Sequence, residues 1–128
     1  MSYYFAKTVN LPFDDAITRV TEELKKEGFG VLTDIDVRAT MKKKLDLDFR
    51  NYRILGACNP PFAHRALMAE DKIGTMLPCN VIVQEHAPGV VEIAAVDPVA
   101  SMAAVDNLDL GSIATEIRSR LQRVVDGV

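Results

Sequence analysis

The chain has 128 residues, of which 48% are hydrophobic and 26% charged, and its formal net charge is −3. This length accommodates one domain with its own core, so we predict a single domain over residues 1–128. The acidic balance argues against nucleic acid and against an anionic membrane surface as partners. No apolar export segment opens the sequence, which predicts a cytoplasmic location and cysteines that are thiols.

The first third of the chain predicts a strand, a helix and a second strand. Residues from Tyr3 to Val9 alternate and are rich in aromatic and β-branched types, which is typical of a strand. Pro12 then opens a helix whose apolar residues follow helical spacing, and Gly28 ends it. Val31 to Asp36 forms the second predicted strand.

The rest of the chain predicts two further helices, a hairpin and a last helix. The predicted elements are a short surface helix through Val37, Met41 and Leu45, a strand at Tyr52 to Cys58, a helix from Asn59 to about Glu70, a loop from Gly74 to Pro78, strands at Cys79 to His86 and Val90 to Val96, an irregular segment at Val99 to Asn107, and a helix from about Gly111 to Asp126. Pro88-Gly89 suits the centre of a type II turn between the two hairpin strands.

This order, β-α-β-(α)-β-α-β-β-α, predicts an α+β fold. We expect a two-layer α/β sandwich with a mixed, mainly antiparallel sheet and helices packed against it. A dinucleotide-binding fold is excluded, because the first strand-to-helix connection, Asn10-Leu11-Pro12, contains no glycine that could approach a pyrophosphate.

Two Cys-Asn pairs carry the candidate chemistry. Cys58 precedes Asn59-Pro60, a helix-start signal, and backbone N–H groups at a helix N-terminus favour the thiolate. Cys79 follows Pro78 and leads into an apolar strand. Alternation places Cys58 on the face of Ile54 and Gly56, and we expect both thiols on one side of the sheet. The alternative is that both cysteines are buried, inert core residues.

Four other residues are candidates for ligand binding. Gly56 leaves room above its strand, and His64 belongs to the first turns of the helix that follows Cys58. Asn59 is expected to cap that helix, while Asn80 could tie a loop to the start of the next strand. The Cys and His spacings match no zinc pattern, so we predict neither a metal site nor a cofactor.

The motifs also resemble a known family. Leu55-Gly56-Ala57-Cys58-Asn59-Pro60, followed by Leu77-Pro78-Cys79-Asn80-Val81 and then Asp97-Pro98, is similar to the domain of unknown function 302 family. The resemblance covers nearly the whole chain. It implies a small bacterial or archaeal cytoplasmic domain of two-layer α/β form that is a homodimer. No activity is assigned to the family, so no catalytic residue is carried over, although Cys58, Asn59, Pro60, Cys79 and Asn80 match its motif.

These observations lead to one functional hypothesis and its alternative. The hypothesis is a homodimer with a small pocket lined by Cys58 and Cys79, which are the candidate catalytic residues for a thiol, sulfur or redox role. The alternative is a non-catalytic module that binds a small ligand or acts through its dimer. A second copy is expected because both faces of Tyr52 to Cys58 are largely apolar.

Overall fold

The fold was analysed in a computed structural model that describes residues 2–128. Its helices and strands, in chain order, are β1 (Tyr4–Asn10), α1 (Phe13–Lys26), β2 (Gly30–Asp36), α2 (Val37–Leu45), β3 (Tyr52–Cys58), α3 (Pro60–Ala69), a 3₁₀ helix (Asp71–Met76), β4 (Cys79–Ala87), β5 (Val90–Val96), the short α4 (Pro98–Ser101) and α5 (Asp109–Gly127). No helix within residues 2–128 is long and apolar enough to cross a membrane.

The five strands form one sheet in the order β1-β5-β4-β3-β2. All four pairings in this sheet are antiparallel. The sheet therefore has the predicted antiparallel character but is not mixed, because it contains no parallel pair. The predicted α+β sandwich is confirmed. Gly89 has a φ of 75°, which supports the hairpin turn expected from Pro88-Gly89.

The core lies between one face of the sheet and the helices α1 and α5. On α1 the buried residues Ala16, Val20 and Leu24 follow helical spacing, and α5 presents a longer buried stripe that includes Leu121 and Val124. Alternate residues of the strands complete the core from the other side: Leu55, Ala57, Cys79, Val81, Val83, Val91, Ile93 and Ala95. Helix α3 packs against α5 at one end of this layer.

The opposite face of the sheet lies away from the core helices α1 and α5, and the short α2 contacts β3. Five apolar residues on that face are successive register partners, one from each strand: Ala6, Ala94, Ile82, Ile54 and Ile35. We call this set the outer apolar row. Its members are partly or largely exposed, Ile35 by 48%. The next row on one side is mostly polar and consists of Thr8, Glu92, Gln84 and Tyr52.

The connection between α3 and β4 differs from the predicted loop. The chain turns through the 3₁₀ helix Asp71–Met76, whose Ile73 is fully buried. Gly74, expected to begin a loop, lies inside this helix. A second short helix, α4, begins after Asp97, whose side chain accepts a hydrogen bond from the Val99 N–H at 3.0 Å. Both turns close the end of the domain where α3 and α5 meet.

A candidate ligand-binding cavity

An apolar cavity of about 340 Å³ lies between α3, α5 and one end of the sheet. Its lining consists of Phe29, Leu32, Ala57, Cys58, Asn59, Phe62, Ala63, Ala66, Leu67, Gly74, Leu77, Pro78, Cys79, Pro98, Met102, Ile113, Ala114 and Ile117. None of these residues is charged, and Asn59 supplies the one side-chain amide. The volume falls in the lower part of the range for small-molecule sites. Since a water molecule occupies about 30 Å³ in the liquid, the cavity holds roughly ten groups of that size.

Two exposed leucines mark the mouth of the cavity. Leu32 is 68% exposed and Leu67 is 44% exposed, although both belong to the lining. Leu32 is the extra residue of a β-bulge, because Val31 pairs with Ala57 whereas Thr33 pairs with Gly56. Bulges redirect side chains at sheet edges and beside functional sites, and here the bulge accompanies a leucine at the cavity rim.

Both cysteines line the cavity, but they reach it differently. Cys79 is the first residue of β4 and pairs with Ala57, so it belongs to the core face of the sheet. Strict alternation would put Cys58 on the opposite face, with Ile54 and Gly56. Cys58 is, however, the last residue of β3, where the chain leaves the sheet for α3. Both thiols therefore line the same cavity, but they do so from different places. Cys79 lies on the core face of the sheet, whereas Cys58 lies at the end of β3, where the chain leaves the sheet.

The chemical environment of Cys79 disfavours an ionised sulfur. The side chain is buried, with 8% exposure, and this burial raises the pKa of the Cys79 thiol to about 11. The nearby Cys58 adds to the increase, because two negative sulfurs would repel each other. Cys79 is therefore protonated at neutral pH and is a poor nucleophile there.

The start of α3 has fewer free backbone N–H groups near Cys58 than the sequence predicted. Pro60 and Pro61 occupy the first two helical positions and have no N–H, while the Ala63 N–H donates to the Asn59 carbonyl at 2.9 Å. The Phe62 N–H is thus the one further donor of the first helical turn. The expected concentration of N–H groups near the sulfur is reduced by the same prolines that signal the helix start.

Asn59 does not cap α3 with its side chain. The buried amide Nδ2 instead donates to the Glu27 carbonyl at 3.2 Å, and Arg120 Nη1 donates to the same carbonyl at 3.0 Å. These bonds tie the end of α1 to the start of α3 and to α5. The predicted capping role is corrected: Asn59 joins the start of α3 to the end of α1, and Arg120 joins α5 to the same carbonyl.

Two arginine side chains lie beside the ring of Phe62, a residue of the cavity lining. The guanidinium carbons of Arg65 and Arg120 each lie 5.2 Å from the centre of its ring. Arg120 is held by Glu116, whose Oε1 accepts from Nε at 2.9 Å. Cations at this distance from an aromatic face are attracted to it, so the two arginines hold the ring at the cavity wall.

The other predicted ligand-binding residues lie away from the cavity. The room above Gly56 is occupied by Thr33 and Pro78, and Gly56 does not belong to the lining. His64 is exposed beside a shallow surface groove with Arg65 and Asp109. Asn80 is exposed on the outer face of the sheet. Of the six predicted site residues, Cys58, Asn59 and Cys79 meet in one place.

Most of the cavity wall escaped the sequence analysis. Ala63 and Ala66 of α3, and Ile113, Ala114 and Ile117 of α5, carry only the apolar spacing of helices that face a core. Two small residues of the lining, Ala66 on α3 and Ala114 on α5, leave space that larger side chains would fill. These two alanines are 48 positions apart in the sequence, so no local sequence pattern indicates that they line one cavity.

Comparisons with known proteins identify the family of the chain. No curated protein sequence matches it. The chain is similar to the crystal structure of an uncharacterized conserved DUF302 protein from Bacillus stearothermophilus, with a TM-score of 0.90 and 31% sequence identity over 98% of each chain. The family model described as "Domain of unknown function DUF302" matches residues 5–128. Because this match spans almost the whole chain, the protein belongs to the DUF302 family.

Proposed function

We propose that the protein binds a small, largely apolar molecule in the cavity between α3, α5 and the sheet. The observation that carries the proposal is a cavity of about 340 Å³ whose lining contains no charged side chain. Burial of apolar ligand surface supplies about 25 cal/mol for each Å² removed from water. The lining also offers one amide and two thiols, enough to orient a polar substituent but not to bind a metal ion.

A thiol or redox role is the less well supported of the two hypotheses. Cys79 is protonated at neutral pH because burial raises its pKa to about 11, and the N-terminus of α3 begins with two prolines. In the proposed function the two sulfurs serve as polarisable apolar groups against the ligand. The protonated state of Cys79 and the two prolines at the start of α3 therefore favour a binding module over a thiol-based activity.

Filling the cavity is expected to abolish binding without unfolding the protein. Ala66→Leu combined with Ala114→Leu adds six carbons to the space between α3 and α5. We expect the affinity for N-phenyl-1-naphthylamine, a neutral fluorescent probe, to fall at least about tenfold, because removal of two or three buried methylene contacts already costs that much. The measurement is a fluorescence titration of the purified protein, together with its thermal unfolding midpoint.

Ala39→Leu is the matched control, because Ala39 is exposed on α2 and does not line the cavity. This variant should bind the probe as the wild type does. If the doubly filled variant is folded and still binds the probe normally, the cavity is not the binding site. Native mass spectrometry of the protein purified from its source would in addition reveal a resident ligand by its mass.

We also propose that the protein forms a homodimer through the outer apolar row. The row crosses all five strands without a polar residue, and Ile54 and Ile82 at its centre are only partly covered by their own chain. A two-fold axis through this face would bring each row against its copy, with the polar Glu92 and Gln84 at the rim. The pattern matches an interface with an apolar core and a polar border.

Ile82→Arg is expected to convert the dimer into a monomer. A guanidinium at the centre of the outer apolar row would be buried without a partner, which costs about 3–5 kcal/mol. Light scattering after size exclusion at micromolar concentration measures the mass. Leu45→Arg, on the exposed part of α2, is the control and should remain dimeric. A monomeric wild type at that concentration would contradict the proposal.

A further inference from the structure

We infer that the ligand of this cavity is a neutral apolar molecule with a hydroxyl group, and that this hydroxyl donates a hydrogen bond to Asn59 Oδ1. The inference rests on the proposed function and adds the chemical class of the ligand. Asn59 supplies the one side-chain amide of the lining, and it is buried, with 6% exposure. A polar side chain buried this deeply normally has a hydrogen-bond partner for each of its polar atoms.

The orientation of the Asn59 amide follows from its neighbours. The Glu27 carbonyl can only accept hydrogen bonds, so the amide must present its NH₂ group to this carbonyl. Asn59 Nδ2 lies 3.2 Å from the carbonyl oxygen, and Arg120 Nη1 donates to the same oxygen at 3.0 Å. The amide nitrogen is therefore bonded within the protein, and Oδ1 is the atom left for a ligand.

Asn59 Oδ1 accepts no hydrogen bond from residues 2–128, because the side chain does not cap α3 and its one bond is the donation to Glu27. Every fully enclosed side-chain oxygen and nitrogen in the same part of the chain has a partner. An oxygen without a partner therefore touches open space, and the open space beside the buried Asn59 is the cavity. A donor that a ligand places there gains a hydrogen bond in apolar surroundings, where such bonds are stronger than in water.

The composition of the lining determines which donor fits. A carboxylate would face the amide oxygen, and no cationic side chain lines the cavity to compensate its charge. An ammonium group would likewise be buried without a carboxylate partner. An ether offers no donor to Oδ1. A hydroxyl is neutral and donates one hydrogen bond, so alcohols and phenols are the matching class.

Three ligands with the same ethylbenzene body measure this preference: 4-ethylphenol, 4-ethylanisole and 4-ethylbenzoate. Competition with N-phenyl-1-naphthylamine at neutral pH gives the affinity of each for the wild-type protein. 4-Ethylanisole is more apolar than 4-ethylphenol and would bind more tightly in a cavity without a polar partner. We expect the opposite order, with 4-ethylphenol about three- to tenfold tighter, the effect of one net hydrogen bond. 4-Ethylbenzoate should bind most weakly, because its charge would be buried without a partner.

Two asparagine variants identify the acceptor. Asn59→Leu nearly keeps the side-chain volume and removes both polar atoms, while the Glu27 carbonyl keeps its hydrogen bond from Arg120. This variant should bind 4-ethylphenol at least about tenfold more weakly, since the buried hydroxyl loses its partner, and 4-ethylanisole at least as tightly as the wild type. The order of the two affinities should therefore reverse. Asn80→Leu replaces an exposed asparagine outside the lining and should keep the wild-type order.

NMR of the wild-type protein tests the same contact even if Asn59→Leu does not fold. The signals of the Asn59 side-chain NH₂ group should shift on addition of 4-ethylphenol and much less on addition of 4-ethylanisole. If 4-ethylanisole binds the wild type as tightly as 4-ethylphenol, or if folded Asn59→Leu keeps the preference for the phenol, the inference is wrong although the cavity binds ligands. If none of the three displaces the probe, the proposed function fails as well.

Discussion

Gly56→Val is expected to destabilise the protein by about 3 kcal/mol, the upper end of the range for overpacking. A Cβ atom at position 56 would overlap the hydroxyl oxygen of Thr33 and lie 2.7 Å from Cγ of Pro78. Thr33 could rotate away, but the proline ring is rigid and belongs to the segment that leads into β4. The valine methyl groups extend further in the same direction. Thermal unfolding should show a midpoint lower by roughly 10 °C.

Gly30→Val is the matched control for this substitution. Gly30 also lies in a strand, at the start of β2, and a Cβ atom there has no neighbour within 4 Å. Valine has a high strand propensity, so this variant should unfold close to the wild-type temperature. Adding Thr33→Ala to Gly56→Val should recover part of the lost stability, because it removes one of the two overlaps. Equal midpoints for the two glycine variants would show that Gly56 faces open space.

Gly56 illustrates what sequence patterns determine and what they leave open. A glycine inside an apolar strand predicts that something approaches closely, and this is correct. The pattern does not say whether the neighbour is a ligand or another part of the chain. Here the neighbours are Thr33 on β2 and Pro78 before β4. Their positions depend on strand pairing and on the bulge at Leu32, neither of which is encoded near Gly56.

The fold was more predictable than the site, because its signals are local. The alternation in β1, the helical spacing in α1 and the Pro88-Gly89 turn each determine one element within a dozen residues. The 3₁₀ helix Asp71–Met76 was missed, since such short helices lack an apolar period and this one contains Gly74. The interaction of Asn59 with Glu27 was missed for a different reason. Asn59 is a typical capping residue, but its side chain donates a hydrogen bond to the distant Glu27 carbonyl instead.

The last prediction concerns the two thiols, and it is that Cys58 reacts with iodoacetamide much faster than Cys79. Cys58 is half-buried and lines the cavity, whereas Cys79 is buried with 8% exposure. Burial raises the pKa of Cys79 from 9.0 to about 11, which reduces its thiolate fraction about a hundredfold below pH 9. A more basic thiolate is intrinsically more nucleophilic, by about tenfold for two pKa units. Together these two effects make the labelling rate of Cys79 in the folded protein about tenfold lower than in the unfolded chain. Steric exclusion of the reagent from the buried sulfur lowers this rate further.

Labelling across a range of pH, read by mass spectrometry on each cysteine peptide, separates these effects. The Cys79 rate should rise about tenfold per pH unit and continue to rise up to pH 11, since its thiolate forms only there. The unfolded protein in urea supplies the reference rate for each thiol. An apolar ligand in the cavity should slow the labelling of Cys58, which connects this measurement to the proposed function. If both thiols resist labelling until the protein unfolds, they are core residues, and a thiol-based activity is excluded. If Cys79 labels as fast as Cys58 at neutral pH, the burial argument for its protonated state is wrong.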